Sequence, residues 1–272
     1  MNHSCVDPSC ENRAILVLDA NSVFFLMRGT VRLVEESYSL PNRQARASQI
    51  ATELCRNFEL LRCCGTDGNV HTSEAVFSEE ISLAHTGNVV YRAVPELKGF
   101  TWKRQLTEIQ NALTSYLWPP PVTDQGRLYA LQSFLAKQQL YPSVRDCTLI
   151  LLACMKASDG TRTHLISNDY QVSRSVRFLA ERRTVNLSGE VLSLGLLNCL
   201  PYQRFLLTSH DKCCLCSGRF MDLCFAYLFA EYERSAEGLR RPDAERRIAM
   251  SVDEVLRLVR TSIVIKMMAE AC

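Results

Sequence analysis

The residues best placed to do chemistry are acids that end, open or ride on apolar segments. Asp19 closes the run Ile15-Leu-Val-Leu, with Asn21 two residues on. Thr72-Ser-Glu-Ala-Val-Phe-Ser leads into Glu79 and Glu80. Asp146 opens an apolar helix, and His164-Leu-Ile-Ser-Asn leads into Asp169. Like charges a few Å apart repel, so carboxylates gathered at one edge of a sheet need a cation between them. The hard ions that take oxygen ligands are Mg²⁺ and Mn²⁺, and their usual task in such a site is phosphodiester chemistry. The leading expectation is therefore a metal-dependent nuclease with Asp19, Glu79, Asp146 and Asp169 as both metal-binding and catalytic residues.

Each residue alone has a plainer explanation. Asp is a favoured helix cap at a strand-to-helix turn, which covers Asp19 and Asp169. Ser167 and Asn168 fit ordinary turn chemistry. The helix dipole favours an acid in a first turn, as at Asp146, and adjacent glutamates such as Glu79 and Glu80 are common on surface helices. The four together, in order, make the stronger case.

The elements that would position them can be read from periodicity. Ala14 to Leu18 is a continuous apolar run, as expected of a buried parallel strand. Helices are predicted over Ser22 to Glu36 and Gln44 to Cys64, the second closed by Gly65-Thr-Asp-Gly. A short strand is expected over Asn69 to His71, then a helix capped by Ser73 that carries both glutamates. Val89 to Val94 alternates and reads as a strand. Helices over Trp102 to Leu117 and Asp124 to Leu140 are split by Trp118-Pro-Pro-Pro, which no helix crosses. Asp146 to Ala157 reads as a buried helix, His164 to Ser167 as a strand, Val172 to Arg182 as a helix and Thr184 to Leu187 as a further strand. This alternation is the pattern of an α/β fold, a parallel sheet with helices on both faces. Ligands in such sheets bind beyond the carboxyl ends of the strands, where Asp19 and Asp169 fall. The expected organisation is a loose tail over 1–13, the α/β domain over 14–190, and a mainly helical extension over 191–272.

Composition adds limits. The 272 residues suffice for one large domain with an appendage. Net charge is +2, but six Lys among 31 basic residues leave 25 Arg, and Arg forks suit phosphate. Arg174, Arg177, Arg182 and Arg183, with Arg240, Arg241, Arg246 and Arg247, are candidates for gripping a nucleic-acid strand; a solvated helix face is the plainer reading. No segment reads as a membrane span or a signal peptide. Most of the thirteen cysteines lie in apolar or helical runs, which reads as reduced thiols of an intracellular, cytoplasmic or nuclear protein that is not secreted. Cys213 and Cys216 beside His210 have the spacing of half a Zn²⁺ site. No second pair stands at matching distance, so plain thiols are the better reading.

The order of the four acids resembles the PIN-domain nuclease family over about residues 14 to 190. The likeness is nearest to the PIN endonucleases that mature small-subunit ribosomal RNA. It is carried by Thr72 to Ile81, by an ensuing strand over Val89 to Pro95, and by Leu165 to Tyr170 with Gln-Val following. The resemblance implies a PIN-like parallel sheet and metal-binding roles for Asp19, Asp146 and Asp169, with Glu79 as the glutamate and Glu80 as its fallback. It gives supporting roles to Asn21 and to Ser167 and implies hydrolysis of single-stranded RNA to a 5′-phosphate and a 3′-hydroxyl. RNA, or a ribonucleoprotein such as a ribosome precursor, is the implied partner, and a homodimer is compatible. The stretch between Asp19 and Glu79 is longer than in compact toxin-type members.

Two other classes compete. A catalytically silent PIN-like scaffold in an RNA-processing assembly would share the fold without the metal. Haloacid-dehalogenase-like phosphatases also end a first strand in Asp and carry a later Leu-Ile-Ser-Asn, here Leu165 to Asn168. They want an Asp two residues after the first, where this chain has Asn21.

Overall fold

In the computed structural model the described residues are 14–206, save 40, 82, 99–102 and 119–123, together with 218, 219, 222, 223 and 226. Strand β1 (Ala14–Leu18) is the middle of a five-stranded sheet. Leu16, Val17 and Leu18 are no more than 2 % exposed, so the apolar run is covered on both faces, as its unbroken hydrophobicity demands. On one side lies β2 (Gly65–His71) and then β3 (Leu117–Trp118); on the other, β4 (Thr163–Ile166) and then β7 (Leu197–Leu200). Every pairing is parallel. The chain thus winds outward from β1 in one direction and from β4 in the other, and the order reverses between these two central strands.

Helices flank the sheet: α1 (Ala20–Ser37), α2 (Arg43–Cys64), α3 (Glu74–Glu79), α4 (Leu83–Ala93), α5 (Lys103–Tyr116), α6 (Gln125–Lys137), α7 (Val144–Ser158) and α8 (Tyr170–Arg182). Helix α1 shows why. Val23, Leu26, Met27, Val31 and Val34 are all buried and recur at three- and four-residue spacing, a stripe turned to the core. Among the described residues no helix is long and apolar enough to cross a membrane.

Four expectations are corrected. The segment Val89 to Val94, expected as a strand, lies in helix α4 and the residue that follows it. Gly87, Val89, Val90 and Val94 are buried, Tyr91 half-buried, and Asn88 and Arg92 exposed. That is helical periodicity, and it overrides the β propensity of two adjacent valines. The Gly65-Thr-Asp-Gly stretch opens strand β2 rather than only ending a helix. Its pairing with β1 slips between Ala14 and Leu16, an irregularity that glycines in a strand accommodate. Thr184 to Leu187 is a strand, β5 (Thr184–Leu187), but it pairs antiparallel with β6 (Glu190–Ser193) in a separate hairpin. Ser188 and Gly189 both have positive φ, 54° and 89°, as a tight two-residue turn requires. Finally, β7 lies past residue 190, where the helical extension was expected to start, and adds an edge to the main sheet. The Pro119 to Pro121 run, the tail over 1–13 and most of the segment after 206 lie outside the described residues, among them the expected helices beyond Glu233.

A few residues of that last segment are described, and they pack on α1 and α2. Leu223 and Ala226 are buried. A Cβ built on Gly29, mid-way along α1, would stand 3.4 Å from the Leu223 carbonyl oxygen and 3.7 Å from the Ala226 Cβ. A methyl group fits there in ordinary contact, whereas a branched side chain does not. Gly29→Ala is accordingly expected to hold or raise stability by about 0.5–1 kcal/mol, the helix-propensity gain. Gly29→Leu should lower it by about 2 kcal/mol through overpacking. Urea unfolding of the two variants checks the contrast, and equal effects would show that the segment does not press on Gly29.

Candidate functional site

The site forms where strand order reverses, beyond the carboxyl ends of β1 and β4. Asp19 follows β1 and caps α1, accepting a 2.6 Å hydrogen bond from the Ser22 amide. Ser22 in turn donates its hydroxyl to the Ile166 carbonyl at 2.7 Å, tying the start of α1 to the end of β4. Just past β4, the fully buried Ser167 donates its hydroxyl to the Asp19 carboxylate and accepts from the Asp169 amide at 3.0 Å. Asp169 caps α8 through one oxygen, which accepts from the Gln171 and Val172 amides at 2.7 and 3.0 Å. One serine hydroxyl therefore joins the two aspartate segments. From the β2 side, Thr72 donates to the Leu18 carbonyl at 2.9 Å and holds the end of β1 in place.

Asp19 is 5 % exposed, and burial pushes its carboxyl up from 3.8 to about 6. Hydrogen bonds from Ser167 and Ser22 work against the rise, and the negative charge of Asp146 adds to it. No cation among the described residues offsets that charge, so Asp19 is a carboxylate held in a place that disfavours its ionised form. Such groups cluster at functional sites.

Asp146 lies within electrostatic reach of Asp19 but is not the first residue of its helix. Ser143 caps α7, and Asp146, three residues on, accepts from the Ser143 amide at 3.0 Å in a reciprocal capping box. This is the motif that Ser/Thr-x-x-acid signals, and the sequence reading did not use it. The start of α7 is fastened to the start of α3, since Thr148 Oγ1 lies 2.8 Å from Ser73 Oγ. That contact brings in the two glutamates. Arg145 reaches Glu80 at 3.2 Å and Glu79 at 3.7 Å. Glu79 ends α3 and is exposed; Glu80 is its C-cap.

The supporting residues divide. Ser167 sits at the centre of the constellation. Asn168 accepts from the Tyr202 amide at 2.7 Å and donates to Gln203 at 3.1 Å, so it anchors the chain beyond β7. Asn21 is exposed on the first turn of α1, and its side chain makes no hydrogen bond among the described residues. Of the arginines proposed to grip a strand, Arg182 lies over the Phe134 and Phe178 rings at 5.4 and 4.8 Å. Arg177 and Arg183 line a common cavity, and Arg174 is exposed. Arg240, Arg241, Arg246 and Arg247, and the His210 to Cys216 cluster, lie outside the described residues. Sequence reading missed Ser22 and Arg145; one is a plain helix-start serine, and the other gains its meaning only from glutamates 65 and 66 residues away.

The donor chemistry suits a hard divalent cation: oxygen ligands, one of them a buried carboxylate without a cation. Among the described residues, however, no three His, Cys, Asp or Glu side chains stand close enough to hold a metal ion among them. Mg²⁺ does not require that many, because it keeps several waters and commonly takes one or two carboxylates plus substrate phosphate. The described cysteines fit the thiol reading: burial pushes Cys147 and Cys154 up to about 12, which makes them poor nucleophiles and metal ligands. Comparison of the chain with protein-family models, with curated proteins and with solved structures found no significant match.

Proposed function

We propose that this chain is a metal-dependent endoribonuclease of the PIN type that hydrolyses phosphodiester bonds of single-stranded RNA. The observation that carries the reading is Asp19 itself: a buried carboxylate with its pKa raised to about 6, at the switch point of a parallel sheet. There it is bridged to the Asp169 segment through Ser167. Ligands of doubly wound sheets bind at that point, and the α1 cap that Asp19 forms could be made by an uncharged Asn or Ser.

In this reading one or two of the carboxylates Asp19, Asp146 and Asp169 at a time would hold a Mg²⁺ or Mn²⁺ ion, with water and substrate phosphate as its remaining ligands. When bound, such an ion supplies Lewis acidity toward the scissile phosphate and a water of lowered pKa. The chain's own residues do the positioning. Ser167 fixes the Asp19 carboxylate in one orientation. Ser22 ties the start of α1 to the end of β4, Thr72 ties the end of β2 to the end of β1, and Arg145, paired to the glutamates, can exchange Glu79 or Glu80 for a phosphate oxygen. Glu79 and Glu80 would then enter the site as Arg145 leaves them.

A second reading has an observation of its own. With Glu79 and Glu80 paired to Arg145 and no three-donor group among the described residues, the same fold serves as a silent scaffold in a ribonucleoprotein. The deciding experiment is cleavage of end-labelled single-stranded RNA with Mn²⁺. Wild type should cut, and Asp19→Asn and Asp169→Asn should each reduce the rate about a hundredfold or more, several kcal/mol of transition-state stabilisation. Purified wild type that neither cuts nor binds Mn²⁺ would overturn the nuclease in favour of the scaffold.

A further inference from the structure

Helix α8 carries a second feature, away from the carboxylates. Between its C-terminal half and β7 lies a cavity of about 550 Å³ lined by Arg177, Glu181, Arg183, Asn198 and Cys199. Its volume is in the range of small-molecule sites. Arg177 and Glu181 are four apart on one helix face, and Arg183 follows the last turn. Neither guanidinium makes an ion pair among the described residues, so two cations and one anion face the same open space.

Arg183 is held there at some expense to the backbone. It caps α8 in the left-handed conformation, φ 62°, a region that glycine enters freely and arginine does not. Strain at a residue that the fold could have made glycine points to a use for its side chain. A relay of hydrogen bonds connects the cavity wall to the carboxylate site. Cys199 donates its thiol to Ser173 at 3.6 Å, and Ser173 reaches the Ser167 carbonyl at 3.5 Å. Ser167 in turn holds Asp19.

We infer that this cavity is a nucleotide subsite, in which the Arg177 and Arg183 guanidinium groups take one phosphate of an RNA strand while Glu181 and Asn198 meet the attached nucleoside. Arg forks match phosphate oxygens two at a time. A carboxylate and an amide supply an acceptor and a donor–acceptor pair for hydroxyl and base-edge groups. Helix α8 runs from Asp169, at the carboxyl ends of the strands, to Arg183, roughly 20 Å away at 1.5 Å per residue, so a nucleotide held here would lie several nucleotides along the strand from the one at Asp19. That the phosphate comes from a strand rests on the nuclease reading; that the cavity takes a nucleotide phosphate does not.

The test is binding in EDTA, where no cleavage occurs, followed by calorimetry with inorganic phosphate, adenosine monophosphate and a single-stranded RNA decamer. Arg177→Ala and Arg183→Gly should each weaken decamer binding about tenfold or more. Glycine relieves the strained backbone, so Arg183→Gly should also raise Tm; weaker binding by a more stable protein excludes misfolding as the cause. A mononucleotide that binds as tightly as the decamer, with the same sensitivity to both variants, would support the cavity as a site for free nucleotides. Decamer and mononucleotide affinities unmoved by both variants would overturn the proposal. Asp19→Asn separates the two readings, since it should reduce cleavage about a hundredfold or more without weakening binding in EDTA. Cleavage by wild type with Arg-insensitive binding would remove the subsite and keep the nuclease.

Discussion

Asp19→Asn is expected to leave the protein inactive and more stable. Holding a carboxyl at about 6 instead of 3.8 corresponds to a cost of about 3 kcal/mol at neutral pH. The amide carries no charge, so that cost disappears. The carbonyl oxygen of the substituted side chain can still accept from the Ser22 amide, and the Ser167 hydroxyl can rotate to accept from its new NH₂ group. Allowing for imperfect geometry, a net gain of about 2 kcal/mol at pH 7 is expected. The sign with pH follows from the direction of the shift. A carboxyl raised in the folded state binds its proton more readily there than in the unfolded chain. Its contribution is therefore most favourable below about pH 4 and is lost as pH rises through about 6. The difference between variant and wild type should be largest above pH 6 and close to zero near pH 4. Urea unfolding at several pH values measures it, and the comparison with wild type cancels the other carboxylates. A variant less stable than wild type at pH 7 would show that Asp19 is a structural cap and not a charge kept for function. Added Mn²⁺ should stabilise wild type and leave Asp19→Asn unmoved, since only a folded state with its ligand gains from binding.

The second large effect concerns how the chain beyond the sheet is fastened. Arg219 donates to Glu53 at 2.7 Å and to Asn57 at 2.9 Å, and Asn57 donates to Thr30 at 2.6 Å. Glu53, with its side chain only 4 % exposed, also meets Tyr38 at 3.4 Å and Gln49 at 3.3 Å; Arg56, 3.6 Å away, is largely in solvent. This network joins α1, α2 and the late segment. Arg219→Ala strands a buried carboxylate and frees the Asn57 carbonyl, so a loss of about 3 kcal/mol is expected. The penalty lies mostly in the abandoned charge, and adding Glu53→Gln to Arg219→Ala should recover about 1–2 kcal/mol. Chemical denaturation of the single and double variants reads both numbers. An Arg219→Ala loss under about 1 kcal/mol would place the ion pair among surface pairs that contribute little. Arg219 lies in the region where only a helical appendage was expected, and its partners are 162 and 166 residues away.

The local signals were legible from the chain alone. The unbroken Ile15-Leu-Val-Leu run marks a central strand because a residue buried on both faces has no polar alternative. Asp19, Ser73, Asp124 and Asp169 mark helix starts because a short polar side chain satisfies the free amides of a first turn, and each of them does cap its helix. The alternation of those elements is enough for a parallel α/β sheet. Where local signals conflict or are brief, the sequence misleads. Val89-Val90 looks extended until Gly87, Val90 and Val94 are seen to share one buried helix face. A two-residue strand such as Leu117–Trp118 has no period to read.

Which groups meet was settled by the fold. Ser167 is bonded to Asp19 across 148 residues, Arg145 stands against Glu79 and Glu80, and β7 completes the sheet beyond the expected boundary. Folding also separated the arginines, sending Arg182 onto two phenylalanine rings and Arg177 with Arg183 to one cavity. The raised carboxyl of Asp19 belongs to this second class. Its amino acid is local, but the loss of water that shifts it comes from the elements folded over it.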